Sequence, residues 1–142
     1  MVHPSDQVTP QVVALFAAIN RRYTRESERA AGAHELTALQ AKALLAVQQP
    51  VPMRRVAELL HAEPSNVTAI VDRLESRGLV ERHADPGDRR VKLVAATAAG
   101  REVGTDLRAR MPFAAAPLAA LSPALRAHLR ELLQLVLGDD PS

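Results

Sequence analysis

The chain has 142 residues, 47% of them apolar and 24% charged, which is the balance of one globular domain and not of a disordered tail. It contains no cysteine, so disulfides, thiolate metal sites and a cysteine nucleophile are excluded together. The net charge is only +2, and because nearly all the basic residues are arginine, the sequence pI of 9.7 reflects that small excess, not a strongly basic surface. No stretch approaches the roughly 18 consecutive apolar residues of a membrane span. Residues 1–8 form a polar leader without the basic-then-apolar pattern of a signal peptide, so a cytoplasmic protein is expected. Aromatics are scarce: Phe16, Tyr23 and Phe113. The core must therefore be aliphatic, which favours packed helices over a β-sandwich.

Thr9-Pro10 signals the start of a first helix, with threonine as N-cap and proline at the first helical position. Val12, Phe16, Ile19 and Tyr23 then recur at three- and four-residue steps, a single apolar stripe, and Gly32 is the expected stop. Thr37-Ala38-Leu39-Gln40 has the form of a capping box and opens a second helix running to about Gln48. Pro50 and Pro52 break it, leaving Val51 as a one-residue strand contact. A short third helix is predicted over 53–60. A fourth begins near Pro64, carries Val67, Ile70, Val71 and Leu74 on one face, and ends at Gly78.

Two extended runs follow, 79–83 and 91–95, joined by a predicted loop over 85–90 that contains Pro86 and Gly87. Thr97 caps a fifth helix that reaches towards Arg110, where Pro112 and Pro117 must end or kink it. Ser122-Pro123 starts a last helix with Leu125, Leu129, Leu132, Leu133 and Val136 in register, stopped by Gly138. The order is short helix, tight turn, helix, β-hairpin. That is the winged helix-turn-helix plan, a mainly α fold with a small β-hairpin.

At 100° per residue the fourth helix turns Ser65, Ala69, Asp72 and Ser76 away from its apolar side, with Asn66 and Arg73 on one flank and Thr68 on the other. An ordinary surface helix can look like this. It is also the profile of a helix that enters a major groove about 12 Å wide, where Asn66 can bind adenine bidentately and Ser65 and Thr68 can donate or accept. Arg89 and Arg90 project from the predicted loop with no apolar neighbour to cover, and a thin arginine-tipped hairpin suits a narrow minor groove. Between His61 and Lys92 the basic and acidic residues balance, so DNA affinity depends on charge placement. Asp72, Asp85 and Asp88 are the expected partners that hold the arginines in shape.

These residues resemble one family. Leu36-Thr37 with Gln40, Val67-Thr68, the run Val71-Asp72-Arg73-Leu74-Glu75-Ser76-Arg77-Gly78-Leu79-Val80-Glu81-Arg82, then Asp85-Pro86-Gly87-Asp88-Arg89-Arg90 and Thr97 with Gly100 are similar to the MarR family of bacterial transcriptional regulators. The resemblance spans about residues 36 to 100, and the flanking helices match in length and placement only. It implies a homodimer closed by the first and last helices, binding a pseudopalindromic operator in double-stranded DNA. It also implies repression of nearby genes, relieved by a small anionic aromatic ligand. On that basis Pro64, Ser65, Asn66 and Thr68 face bases, and Arg73 and Arg77 face phosphates or brace the wing. Arg90 with Arg89 forms the wing tip, and Asp88 orients it. Within one domain over 1–142, residues 36–100 form the DNA-binding unit, and 9–32 with 101–138 form the helical dimerisation region. Two departures are Glu63, where better N-cap residues are usual, and Ala95-Ala96-Thr97 in place of a leucine-threonine ending.

For an acidic ligand the first helix offers Arg21, Arg22, Arg25 and Arg29. Arg22 lies nearest the apolar stripe and is the candidate to hold a carboxylate, while the others are expected to pair with Glu26 and Glu28. His3, His34, His61, His83 and His128 lack metal-site spacing, so no metal or cofactor is expected. No phosphate loop, nucleophile elbow or catalytic carboxylate pair is present, which argues against an enzyme. The alternatives are a winged helix used for protein contact without DNA, and a metal-responsive repressor.

Overall fold

The computed structural model describes residues 6–111 and 116–138. Most of the polar leader with His3, the Pro112 stop signal and Phe113 lie outside the described residues.

Helix α1 (Val8–Gly32) starts earlier than the Thr9-Pro10 signal. Asp6 does the capping: its carboxylate accepts from Val8 N (3.0 Å), Thr9 N (3.3 Å) and the Thr9 hydroxyl. Those bonds, the Thr9 hydroxyl first, hold the Asp6 carboxyl below its usual range. Pro10 falls within the first turn, where a missing N–H costs the helix nothing. The far end also differs. The left-handed residue is Glu35 (φ 55°) and not Gly32. Glu35 N donates to Gly32 O and Leu36 N to Ala31 O, both at 3.0 Å, a closure that usually takes glycine.

Helix α2 (Ala38–Ala46) has both halves of its capping box, Gln40 N donating to Thr37 Oγ1 (3.1 Å) and Thr37 N to Gln40 Oε1 (3.0 Å). It stops short of Gln48, whose side chain turns back onto Leu44 O (3.0 Å). Strand β1 (Val51–Pro52) is the expected strand contact, lengthened by one residue and paired with Val94 and Leu93. Helix α3 (Met53–Leu60) closes on His61 in the left-handed region (φ 51°). Helix α4 (Pro64–Ser76) ends where Gly78, at φ 73°, turns the chain into β2 (Val80–Asp85).

Strand β3 (Asp88–Ala96) completes an antiparallel sheet ordered β1-β3-β2. The predicted loop over 85–90 shrinks to Pro86-Gly87. The register steps from Ala84↔Lys92 to Asp85↔Asp88, so Arg89, Arg90 and Val91 bulge from β3. Backbone pairing needs no apolar side chains, and a charged strand end therefore reads as a loop. Helix α5 (Ala98–Arg110) is capped by Thr97, whose Oγ1 accepts from Gly100 N (3.1 Å). A 3-10 turn over Leu118–Ala120, not predicted, precedes α6 (Pro123–Leu137), where Ser122 Oγ accepts from Leu125 N (3.2 Å) and Gly138 ends the helix.

The core is aliphatic: Leu44, Val47, Val56, Val67, Val71, Leu74, Val80, Val94 and Leu107 are essentially fully buried. It belongs to the winged unit with one face of α5. Helix α1 buries only Ala30 and Ala31, and α6 buries no residue.

Among the described glycines, Gly100 has the tightest surroundings, lying directly under the Leu79 carbonyl. A Cβ at Gly100 would overlap the Leu79 carbonyl oxygen, which is itself held by Thr97 N at 3.0 Å. Gly100→Ala is expected to cost about 2 kcal/mol or more in urea unfolding. Gly32→Ala, with nothing within 4 Å of the new methyl, should be neutral or stabilising by about 0.5–1 kcal/mol. Equal midpoints for the two variants would contradict the packing.

Candidate nucleic-acid interface

Packing fixes how α4 is rotated. Val67, Val71 and Leu74 are each about 1% exposed, and Ile70 packs against the same core. Pro64, Ser65, Asn66, Thr68 and Arg73 are consequently all on the solvent side. Glu63 provides no side-chain cap, yet the helix starts at Pro64 regardless, because proline's fixed φ suits the first helical position. The Thr68 hydroxyl donates to Pro64 O (3.0 Å), so it offers an outside partner its lone pairs and its methyl.

The arginines sort differently from expectation. Arg77 turns back onto the α1–α2 corner. Its Nη1 donates to Glu35 O (3.0 Å) and its Nη2 to His34 O (2.8 Å), tying the end of α4 to the α1–α2 corner. The wing is braced instead by Arg82 on β2, which sequence reasoning did not single out. Its Nη2 donates to Asp72 Oδ1 and to Glu75 Oε1 (3.1 Å) on α4. These carboxylates, Asp72 foremost, hold the Arg82 guanidinium above its usual range. Among the described residues Asp85 holds no arginine; it accepts from Gly87 N (2.9 Å) and so sets the turn.

At the wing, Asp88 Oδ1 accepts from both Arg90 N (3.1 Å) and Arg90 Nε (3.4 Å). The Arg90 side chain is nonetheless 92% exposed, and Arg89 beside it is exposed as well. A polar helix face and an arginine-bearing bulge thus stand on the same unit, linked through Arg82. Two further arginines, Arg54 and Arg55, sit in the first turn of α3, with Arg55 Nη1 bonded to Glu58 Oε2 (2.9 Å).

Away from this face, a cavity of about 330 Å³ lies among α1, α2 and α5, bordered by Tyr23, Ser27, Leu39, Lys42, Leu107 and Met111. Ser27 Oγ is buried there without a hydrogen-bond partner among the described residues. Arg22 is not part of this wall. Its Nε donates to Glu26 Oε1 (3.0 Å) on the opposite side of α1, beside Arg21, Arg25 and Arg29. The i,i+4 spacing to Glu26 outweighs the nearness of Arg22 to the apolar stripe. Lys42 brings the positive charge to the cavity instead, and a lysine in the middle of an alanine- and leucine-rich helix was its one available signal.

Residues 34–92 match the model of the MarR family. The HTH-type transcriptional repressor NicR of Pseudomonas putida is 35% identical over 96 residues, 66% of this chain. The chain belongs to the MarR family. The match spans 60% of the length of NicR.

Two solved structures resemble this MarR-family chain over nearly its whole length. CouR from Rhodococcus jostii RHA1, in a crystal structure bound to p-coumaroyl-CoA, superposes with a TM-score of 0.72 at 27% identity, covering 100% of this chain and 99% of that one. A variant of MarR from E. coli complexed with operator DNA gives 0.69 at 25% identity, covering 94% and 100%. The winged-helix fold is therefore that of the family.

The two guanidinium roles can be separated without DNA. Arg77→Ala removes two bonds to corner carbonyls and is expected to cost about 1–3 kcal/mol in urea unfolding. Arg89→Ala, on an exposed bulge, should stay within about 0.5 kcal/mol. An unchanged Arg77→Ala midpoint would release that side chain for a surface role.

Proposed function

We propose that the chain is a homodimeric, sequence-specific DNA-binding repressor that a small anionic aromatic ligand releases from a pseudopalindromic operator. The observation that carries this reading is the outward face of α4, Ser65, Asn66 and Thr68, held beside an arginine-bearing wing. In this reading α4 enters the major groove, with Pro64 and those three residues against base edges and Arg73 at the backbone. Arg89 and Arg90 approach the adjacent minor groove, with Asp88 aiming Arg90. Arg54 and Arg55 on α3 are placed where the first helix of such a motif crosses phosphates. The operator complex of the E. coli relative supports this docking, and the similarity to the transcriptional repressor NicR supports repression. The function makes the chain a cytoplasmic regulator with no reaction of its own. Among the described residues, no helix is long and apolar enough to cross a membrane.

Dimerisation is supported by what the single chain leaves wet. Val12, Phe16, Ile19 and Tyr23 on α1, and Leu125, Leu132, Leu133 and Val136 on α6, are all exposed. An apolar surface of that extent normally meets a partner, and a two-fold pairing of these helices covers both sets. It also sets two copies of α4 side by side for successive turns of the groove, about 34 Å apart.

The cavity among α1, α2 and α5 is the ligand site in this reading. Its volume suits a small molecule. Tyr23, Leu39 and Met111 offer apolar contact to a ring, Lys42 a charge for a carboxylate, and Ser27 Oγ a hydrogen bond that burial leaves unmade. CouR's p-coumaroyl-CoA is an aromatic acyl ligand on the same fold.

One titration series tests these parts together, using a duplex from the DNA upstream of the chain's own gene and a scrambled duplex. The wild type should prefer the first and saturate at two chains per duplex. Asn66→Ala should lose about 1–3 kcal/mol on the upstream duplex alone, narrowing the preference. Salicylate or p-coumarate should weaken the wild-type complex and affect Lys42→Ala much less, a coupling of about 1–3 kcal/mol. Equal binding to both duplexes would remove the proposed reading of sequence.

A further inference from the structure

One cluster of ionisable groups lies outside both the DNA face and the ligand cavity. His34 Nε2 meets Asp106 Oδ2 at 2.5 Å, across 72 positions of chain, and Arg110 Nε donates to the same oxygen at 2.7 Å. His34 belongs to the α1–α2 corner and Asp106 to α5. The imidazole is 23% exposed and the carboxylate 40%, so water screens the pair only in part. The backbone of the same histidine is what Arg77 holds, through His34 O and Glu35 O. A continuous polar chain therefore runs from α5 through His34 to the end of α4.

We propose that the His34–Asp106 pair is a proton-operated latch that fixes the winged unit against α5 and so makes DNA affinity dependent on pH. This rests on the DNA-binding reading above. With His34 protonated, the pair is a full ion pair across two elements. When the proton leaves to solvent, Asp106 keeps Arg110, a partner on its own helix, and the link across elements falls back to a neutral hydrogen bond. Because an imidazole loses its proton as pH rises, the latch opens in that direction. Asp106 itself stays ionised throughout: His34 first, then Arg110, hold its carboxyl below the usual range.

The other charged groups around the pair do not substitute for it. Arg77 reaches His34 through the carbonyl and carries its charge at every pH in question. Glu35 follows His34 on the corner. Helix α2 has one ionisable residue, Lys42, which borders the cavity, and Arg29 on α1 borders the outer depression. Glu28 precedes Arg29 on the exposed surface of α1. Of these groups, His34 is the one imidazole.

A closed latch holds α4 in a fixed relation to the dimerisation helices, so less freedom is lost on DNA. The test compares the full-length wild type with His34→Gln and Asp106→Asn at pH 6 and pH 8, on the upstream duplex and by hydrogen exchange of the free protein. The other histidines, His61 and His83 among them, are common to all three proteins, so differences between proteins isolate the latch. Wild-type affinity should fall about threefold more than that of either variant between the two pH values, the size expected of a partly exposed ion pair. Exchange at residues 34–37, corrected for the intrinsic rate, should speed up with pH in the wild type only. A common pH profile for all three proteins in both measurements would overturn the latch. Failure of every protein to bind the duplex would strike the DNA-binding reading, and the exchange data would then decide the latch alone.

Discussion

The orientation of α4 is the constraint from which the rest follows. Val67, Val71 and Leu74 lie on one side of the helix and are buried almost completely, which leaves no freedom in how it rotates about its axis. Ser65, Asn66, Thr68 and Arg73 face solvent because the opposite side is committed. Packing sets rotation but does not stop a helix from tilting at its ends. Arg77 and Arg82 meet that need, one on the corner carbonyls and the other through Asp72 and Glu75. The second contact uses the outward side chains of α4 itself, so wing and helix are positioned by one shared network.

The molecule divides its apolar surface between two tasks. The winged unit closes its own core, with Ala30 and Ala31 of α1 and Leu107 of α5 as its links to the rest. Helices α1 and α6 present rows of apolar side chains that stand exposed in the single chain. The cavity sits at the junction, with α5 contributing Leu107 and Met111 to its wall and Asp106 and Arg110, one residue before each, to the cluster at His34. A ligand there alters DNA binding only to the extent that it prefers one arrangement of that junction over another. The arrangement gives it that opportunity, because the same helix carries the wall and the polar link.

Short-range signals were legible in the sequence. The Thr37–Gln40 box, proline at the start of α4, Gly78 at its end, Thr97 and Ser122 all act within four residues, and each is where its spacing predicts. The apolar period of α4 was legible for the same reason. What escaped was of two kinds. Some local geometry has no distinctive residue: Asp6 caps from outside the helix, Glu35 takes a turn usually left to glycine, and charged residues finish β2 and begin β3. The remainder is long-range. Arg77 reaches back 42 and 43 positions and His34 reaches forward 72, and no pattern in the chain marks such partners. Arg22, the candidate for a distant role, forms a local ion pair with Glu26 one turn away.

The central claim is that helix and wing act on different parts of the duplex, one reading bases and the other gripping a charged backbone groove. Arg90→Ala binding isotherms at several salt concentrations, on upstream and scrambled duplexes, test it most directly. The account predicts weaker binding to both duplexes and a shallower dependence on salt, because fewer counterions are released when one phosphate-facing charge is lost. Unchanged affinity for the scrambled duplex with an unchanged salt slope would mean that the wing does not touch DNA, and the docking would be wrong.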